Sequence, residues 1–196
     1  MKKMNLLIAL LMVITFGTVN AQEYVVNSSS SILEWTGKKV TGEHQGTIKL
    51  NSGEFTVRDN KIVSGKFVIN MESIVCADLQ DEEYNKKLVG HLKSDDFFGT
   101  KSFPTAVFVV KRSSELSNNS YTVYGDLTIK GITHPIEFKV NQVKTNDGYK
   151  FNGTAVVDRT KYNIRYGSGK FFESLGDNMI YDDFLVGLKL TATASN

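Results

Sequence analysis

His91, Ser94 and Asp95 are the residue types of a nucleophilic hydrolase, and they fall within five positions of one another. That chemistry needs nucleophile, base and orienting group to converge from separated segments. Three side chains on one turn cannot converge in that way. The segment is better suited to local work, with Ser94 or Asp95 capping backbone groups and His91 held as a structural residue. Metal chemistry fares no better on spacing. His44, His91 and His134 are far apart, and none has a partner at i+2 or i+4 to make a ligand pair on one strand or helix. Cys76 is the single cysteine and likewise stands alone, so an intramolecular disulfide is excluded. Gly167-Ser168-Gly169-Lys170 looks like a phosphate loop only superficially. Its leading glycine is at the wrong distance, and Phe171 stands where Ser or Thr is needed. No catalytic residue, metal ligand or cofactor is therefore expected.

The elements that carry these residues have the patterning of strands. Val63, Gly65, Phe67, Ile69 and Met71 alternate with polar neighbours, as do Tyr121, Val123, Gly125, Leu127 and Ile129. Ile136, Phe138 and Val140 repeat the pattern, and Phe184, Val186, Leu188 and Leu190 end the chain as a strand. With less regular runs at 23–27, 31–38, 46–58, 105–112 and 149–158, the spacing predicts an all-β sandwich or barrel of about eight strands. One segment is helical instead. Asp78 is placed to cap it, Asp81, Glu82 and Glu83 fall in its first turn, and Lys86 and Lys87 follow. Tyr84, Leu88 and Leu92 give this short helix one apolar stripe, which must lie on the end or the wall of a barrel. The Ser-rich stretch 27–31 reads as a turn.

Composition narrows the function classes. The chain has 196 residues, 41% hydrophobic and 22% charged, which suits one soluble domain. Met1-Lys2-Lys3, the apolar run Leu6 to Phe16 and Val19-Asn20-Ala21 form a signal-peptide pattern, predicting cleavage after Ala21 and a mature domain over 22–196. The apolar run is about half of what spans a bilayer, so no integral membrane segment is expected once it is removed. Loss of Lys2 and Lys3 leaves 21 bases against 21 acids, a balance that gives no electrostatic footprint for nucleic acid.

Glycines on the apolar faces bear on what the barrel holds. Gly65 and Gly125 interrupt bulky faces, and Gly46 precedes Ile48 and Leu50 on a third. Such a glycine marks a bulge, a bend or the close approach of another backbone. The other reading is that it leaves room, since about eight strands enclose either packed side chains or one small ligand. On that reading Trp35, Phe67, Ile69, Val123, Leu127 and Phe138 line an apolar site around Gly125, and Gly125→Phe should fill it with the barrel still folded.

Two blocks carry a more specific signal. His91-Leu92-Lys93-Ser94-Asp95-Asp96-Phe97-Phe98, followed by Phe103-Pro104-Thr105, resembles the hallmark of the YceI-like family of exported bacterial proteins. Gly125-Asp126-Leu127-Thr128-Ile129-Lys130-Gly131-Ile132-Thr133-His134-Pro135 is similar to that family's second block, in the same order and spacing, and the likeness runs over roughly 22–194. The resemblance implies an extended antiparallel lipocalin-like barrel with one short helix. It also implies a pore holding a polyisoprenoid or similar long-chain lipid, a periplasmic or secreted location and a binding role, not an enzymatic one. Relatives often pair, so a homodimer is among the states it allows. An enzyme acting on an apolar chain and a solid-core structural barrel are the alternatives. Two departures stand out. Asn163 replaces a glycine common in the Asp158-Arg159-Thr160-Lys161-Tyr162 motif, and Asn tolerates the left-handed backbone such a turn needs. The insertion around 166–173 brings Phe171 and Phe172, which either close the mouth of the pore or pack the loop.

Overall fold

The computed structural model describes residues 21–117 and 119–195; the expected signal segment lies outside the described residues, and the boundary at Ala21 remains an expectation. The period-two runs form β1 (Gln22–Val26), β2 (Ile32–Lys39), β3 (Gly42–Arg58), β4 (Lys61–Cys76), β5 (Thr105–Ser117), β6 (Ser120–Ile129), β7 (Ile132–Lys144), β8 (Gly148–Asp158) and β9 (Ile180–Ala194), with α1 (Glu82–Lys93) between β4 and β5. Neighbouring strands pair in the order β3-β2-β9-β8-β7-β6-β5-β4, and β4 pairs back to β3, so eight strands close a ring. Closure leaves no free edge in that ring, as the expected barrel requires. β1 continues the wall where β2 stops: it pairs with β3 at Glu54–Val57 and with β9 at Ala192–Ala194. Between them, at 27–31, the Asn27 side chain accepts from the backbone N–H groups of Ser29 and Ser30, making the expected turn.

Bulges decide which residues face inward. In β3 the register shifts between Leu50 and Ser52, so the buried series passes from Gly46 and Leu50 to Gly53, Phe55 and Val57. A second shift opposite Thr56 and Val57 leaves Val63 unpaired, and Ile62 takes the buried position that alternation had assigned to Val63.

The connections sort by end. Tight turns at 59–60, around Asn119 and at 145–147 close one end, the hairpin end, where Asp59 and Asn60 adopt φ of 50° and 61°. The opposite end, the helix end, carries the two-residue turns at 40–41 and 130–131 and both long connections: residues 77–104 with α1, and residues 159–179. The helix begins one turn later than expected. Asp81, not Asp78, is the N-cap, its side chain accepting from Glu83 N–H and Tyr84 N–H at 3.0 Å each. Asp78 is engaged elsewhere. The expected stripe is only partly used, since Leu92 packs on the core while Tyr84 is 64% exposed. His134 lies within β7 opposite Leu127, and the turn between β6 and β7 is Lys130-Gly131.

Candidate functional site

At the hairpin end the interior is filled by aromatic rings. Tyr24 stacks on Phe55 at 5.3 Å, Tyr149 meets Tyr24 edge-on at 4.9 Å, and Phe151 meets Phe55 edge-on at 5.3 Å. All four are buried, and burial pushes the Tyr149 hydroxyl up to about 12. Above this floor the rings give way to space. A cavity of about 210 Å³ occupies the rest of the barrel. One water needs about 10–15 Å³ of such space together with polar partners, and cavities lined by apolar side chains stay dry and take apolar guests.

Every strand from β2 to β9 contributes hydrocarbon to the wall, including Trp35, Phe67, Ile69, Val123, Leu127 and Phe138. Those six sequence-derived positions therefore meet around one space. The Trp35 indole N–H is directed out of it, donating to the Val75 carbonyl at 3.0 Å. Sequence reasoning missed Leu33, Ile48, Leu50 and Phe108, which share the same faces and were reachable from the same periodicity.

The other three positions are elsewhere. A Cβ on Gly125 would stand 2.6 Å and 2.7 Å from two atoms of the Phe108 ring and closer still to the Val109 carbonyl. On Gly65 it would meet Glu54 O and Phe55 Cβ at 2.9 Å, and on Gly46 the Cys76 Cα at 2.9 Å. These glycines do not leave room. They admit a neighbouring strand and ring that occupy the place of the missing side chain, so the expectation that Gly125→Phe would fill a void is corrected. Gly37 does line the cavity, and a Cβ there would have only Trp35 Cζ3 near it, at 3.9 Å. Phe171 and Phe172 are 43% and 49% exposed and do not line the cavity; the Arg165 guanidinium lies 4.8 Å over the Phe171 ring. They pack the loop.

The helix end covers the cavity with α1 and the turn after it. Leu92, Phe97 and Phe98 face inward, and Phe98 meets Phe184 of β9 edge-on at 6.0 Å. Ser94 is the C-cap, its hydroxyl donating to the His91 carbonyl at 2.8 Å, while Phe97 N–H and Gly99 N–H donate to Ser94 O. Lys130 reaches the Asp95 carbonyl at 2.8 Å. His91 is packed edge-on against Phe97 and Tyr166, at 4.9 Å and 4.4 Å. The polar cluster of this block thus builds the cover, and its phenylalanines anchor it.

Arg159 brings a charged side chain to the edge of the cavity. Arg159 follows β8 on its inward phase and is buried, donating to the carbonyls of Tyr181, Ile164 and Ile180 at 3.1, 2.9 and 3.0 Å. Burial lowers its pKa, against the opposing pull of Asp182 and Asp158. Lys170 ties the cluster together at 3.0 Å from Asp158 and 3.3 Å from Asp182. Burial opposes ionisation of Asp158, but hydrogen bonds from Thr160 and Lys170 outweigh it and hold the carboxyl below its ordinary value. Asn163 ends this turn at φ 58°, the left-handed conformation expected of it.

The comparisons agree with this geometry. The model of the YceI-like domain matches residues 24–192. A UPF0312 protein of Staphylococcus aureus (strain USA300) is 44% identical over 89 residues, 42% of this chain and 49% of that protein. A UPF0312 protein of Shewanella denitrificans is 30% identical over 128 residues, 64% of each. The chain spans about half the length of the Staphylococcus relatives it matches. Among solved structures, Burkholderia cenocepacia BcnA superposes with a TM-score of 0.68 at 23% identity, covering 84% of this chain and 98% of that one. A polyisoprenoid binding domain from Saccharophagus degradans gives 0.59 at 16% identity, covering 88% and 98%. At these identities the likeness is one of fold.

Proposed function

This chain belongs to the YceI-like family, and on that premise we propose that it is an exported binding protein carrying one long-chain apolar lipid, a polyisoprenoid or a molecule like it, in the barrel cavity. The observation that carries the reading is the shape of the interior. A solid-core barrel has no use for about 210 Å³ of hydrocarbon-lined space above a packed aromatic floor. The Saccharophagus neighbour, a polyisoprenoid binding domain of the same fold, supports the ligand class. Export rests on the signal-peptide pattern of residues 1–21 and places the carrier in the periplasm or outside the cell.

A binding role accounts for the wall better than catalysis does. Arg159 is committed to three backbone carbonyls, and the other lining side chains are overwhelmingly hydrocarbon. Burial of a methylene contributes roughly 0.8 kcal/mol, so about ten buried groups supply on the order of 8 kcal/mol before association costs. Nanomolar binding needs about 12 kcal/mol net, within reach of a longer isoprenoid.

Organic extraction of the protein purified from the exported fraction, followed by mass spectrometry, tests the proposal. A long-chain lipid in near-stoichiometric amount is the expected result. Chemically altered lipid would favour an enzyme, and an empty barrel that refuses added isoprenoid would end the carrier reading. Affinity should vary little with ionic strength, because the binding surface carries little charge for salt to screen.

A further inference from the structure

Three side chains that the sequence shows as isolated meet at the rim of the helix end. Gly46 of β3 pairs with Cys76 of β4, and this antiparallel register sets residue 44 across from residue 78. Gly46 lets the strands come close, since a Cβ there would stand 2.9 Å from Cys76 Cα. The outcome is a cluster in which His44 Nδ1 lies 2.9 Å from Asp78 Oδ2 and Cys76 Sγ lies 3.2 Å from Asp78 Oδ1. The three donor atoms all fall within 4.8 Å of one another.

We propose that His44, Cys76 and Asp78 form a binding site for one divalent transition metal of the zinc type, which fastens the β4–α1 connection to β3. The donor set is a thiolate, an imidazole and a carboxylate, the three ligand types zinc takes from proteins. Tetrahedral zinc, with bonds of about 2.0–2.3 Å, sets its ligand atoms roughly 3.4–3.6 Å apart, so small side-chain adjustments convert the hydrogen-bonded cluster into a coordination shell. Two ligand charges match the ion. On binding, the sulfur–metal bond replaces the S–H bond and that proton passes to water. The His44 proton moves from Nδ1 to Nε2, and Asp78 enters as the carboxylate.

The surroundings hold the ligands in place as an outer shell does. Gln45 N–H donates to Asp78 Oδ1 at 2.9 Å, and Ala77 N–H donates to Gln45 O at 2.9 Å. The Asn85 amide, reaching down from α1, donates to the carbonyls of Cys76 and Leu79 at 3.1 and 2.9 Å. Cys76 is buried, whereas the side chains of His44 and Asp78 are 34% and 27% exposed, so an ion has an approach from solvent. On its solvent side His44 borders a shallow groove shared with Leu79, Tyr84, Lys87, Leu88 and His91; with three protein ligands, the fourth position of a tetrahedral ion would fall to water. A thiol nucleophile is the poorer reading, because thiol and imidazole are each hydrogen-bonded to Asp78 and no hydrogen bond joins them.

The test uses chelator-stripped mature protein titrated with zinc by calorimetry and with cobalt by absorption spectroscopy. We expect one zinc per chain and a cobalt complex with a thiolate-to-metal charge-transfer band. Cys76→Ser should abolish that band, and Cys76→Ser, His44→Gln and Asp78→Asn should each weaken zinc binding by about tenfold or more. His134→Gln, away from the cluster, should leave it unchanged. A wild-type cobalt spectrum with no thiolate band overturns the proposal even if a variant fails to fold, and so does equal zinc affinity in wild type and all three cluster variants.

Discussion

The two ends of the barrel are made from the same strands, with the same alternation, yet one is solid and the other encloses space. At the hairpin end Tyr24, Phe55, Tyr149 and Phe151 meet ring against ring. At the helix end the aromatic residues spread into a wall and a cover, with Trp35, Phe98, Phe138 and Phe184 lining the cavity. The difference teaches that an apolar inward face does not by itself specify a packed core. At the hairpin end large rings from facing strands fill the interior, whereas at the helix end the two long connections bring a separate cover and leave the volume beneath it unfilled.

The strongest way to break this contrast is to enlarge a glycine where strands already touch. Gly125→Phe should destabilise the protein by about 3 kcal/mol or more, because the new side chain meets the Phe108 ring and the Val109 carbonyl at once; thermal unfolding measures it, and an unchanged melting temperature would show that the glycine faces space. Phe55→Ala in the aromatic floor should cost about 3–5 kcal/mol in denaturant unfolding, against about 1 kcal/mol for the half-buried Phe98→Ala in the cover. Equal losses at the two sites would erase the distinction between the ends. Gly37→Leu sharpens the comparison from the other side. It should change stability by less than about 1 kcal/mol while sharply lowering the amount of extractable lipid, since its side chain enters the cavity with only Trp35 near it.

Acid should also act on the ends unequally. Asp78 and Asp158, both at the helix end, have carboxyls held below their ordinary value. For Asp78, burial opposes ionisation, but hydrogen bonds from Gln45, His44 and Cys76 outweigh it and bring the pKa to about 2. A group whose folded pKa is lowered contributes stability above its unfolded pKa and loses it as pH falls through the folded value. Amide exchange should therefore rise first around α1 and residues 158–170 below about pH 4, and Asp158→Asn should flatten the decline. Uniform loss of protection at both ends would contradict this. The smallest effect belongs to Phe171→Ala and Phe172→Ala. Each should shift stability by no more than about 0.5 kcal/mol and leave lipid loading intact, because these rings lie outside the cavity.

Period-two faces made the strands legible in the chain. Trp35, Phe67, Ile69, Val123, Leu127 and Phe138 could be assigned to one interior, because alternation fixes side within a strand whatever that strand pairs with. Val63 was misplaced for the converse reason. A bulge is a property of two strands in register, and no single run of residues reveals it. Capping chemistry was readable to within a turn: Asp78 and Asp81 are both able caps, and the preference for Asp81 reflects the engagement of Asp78 with His44, Gln45 and Cys76.

The amino-acid sequence alone determined the all-β class, the single short helix, the family blocks and the inward series on most strands, because these depend on neighbours in the chain. Tertiary structure decided what those pieces enclose. Gly125 reads identically as vacant space or as a place for a neighbour's ring, and the pairing of Val110 with Gly125 settled it by laying β5 against that position. His44 and Cys76 stood apart in the sequence and were joined through Asp78 by the register of β3 on β4. Distances across a sheet depend on register, and register follows from closing the whole ring at once, so a site shared between strands becomes visible only when the barrel is complete.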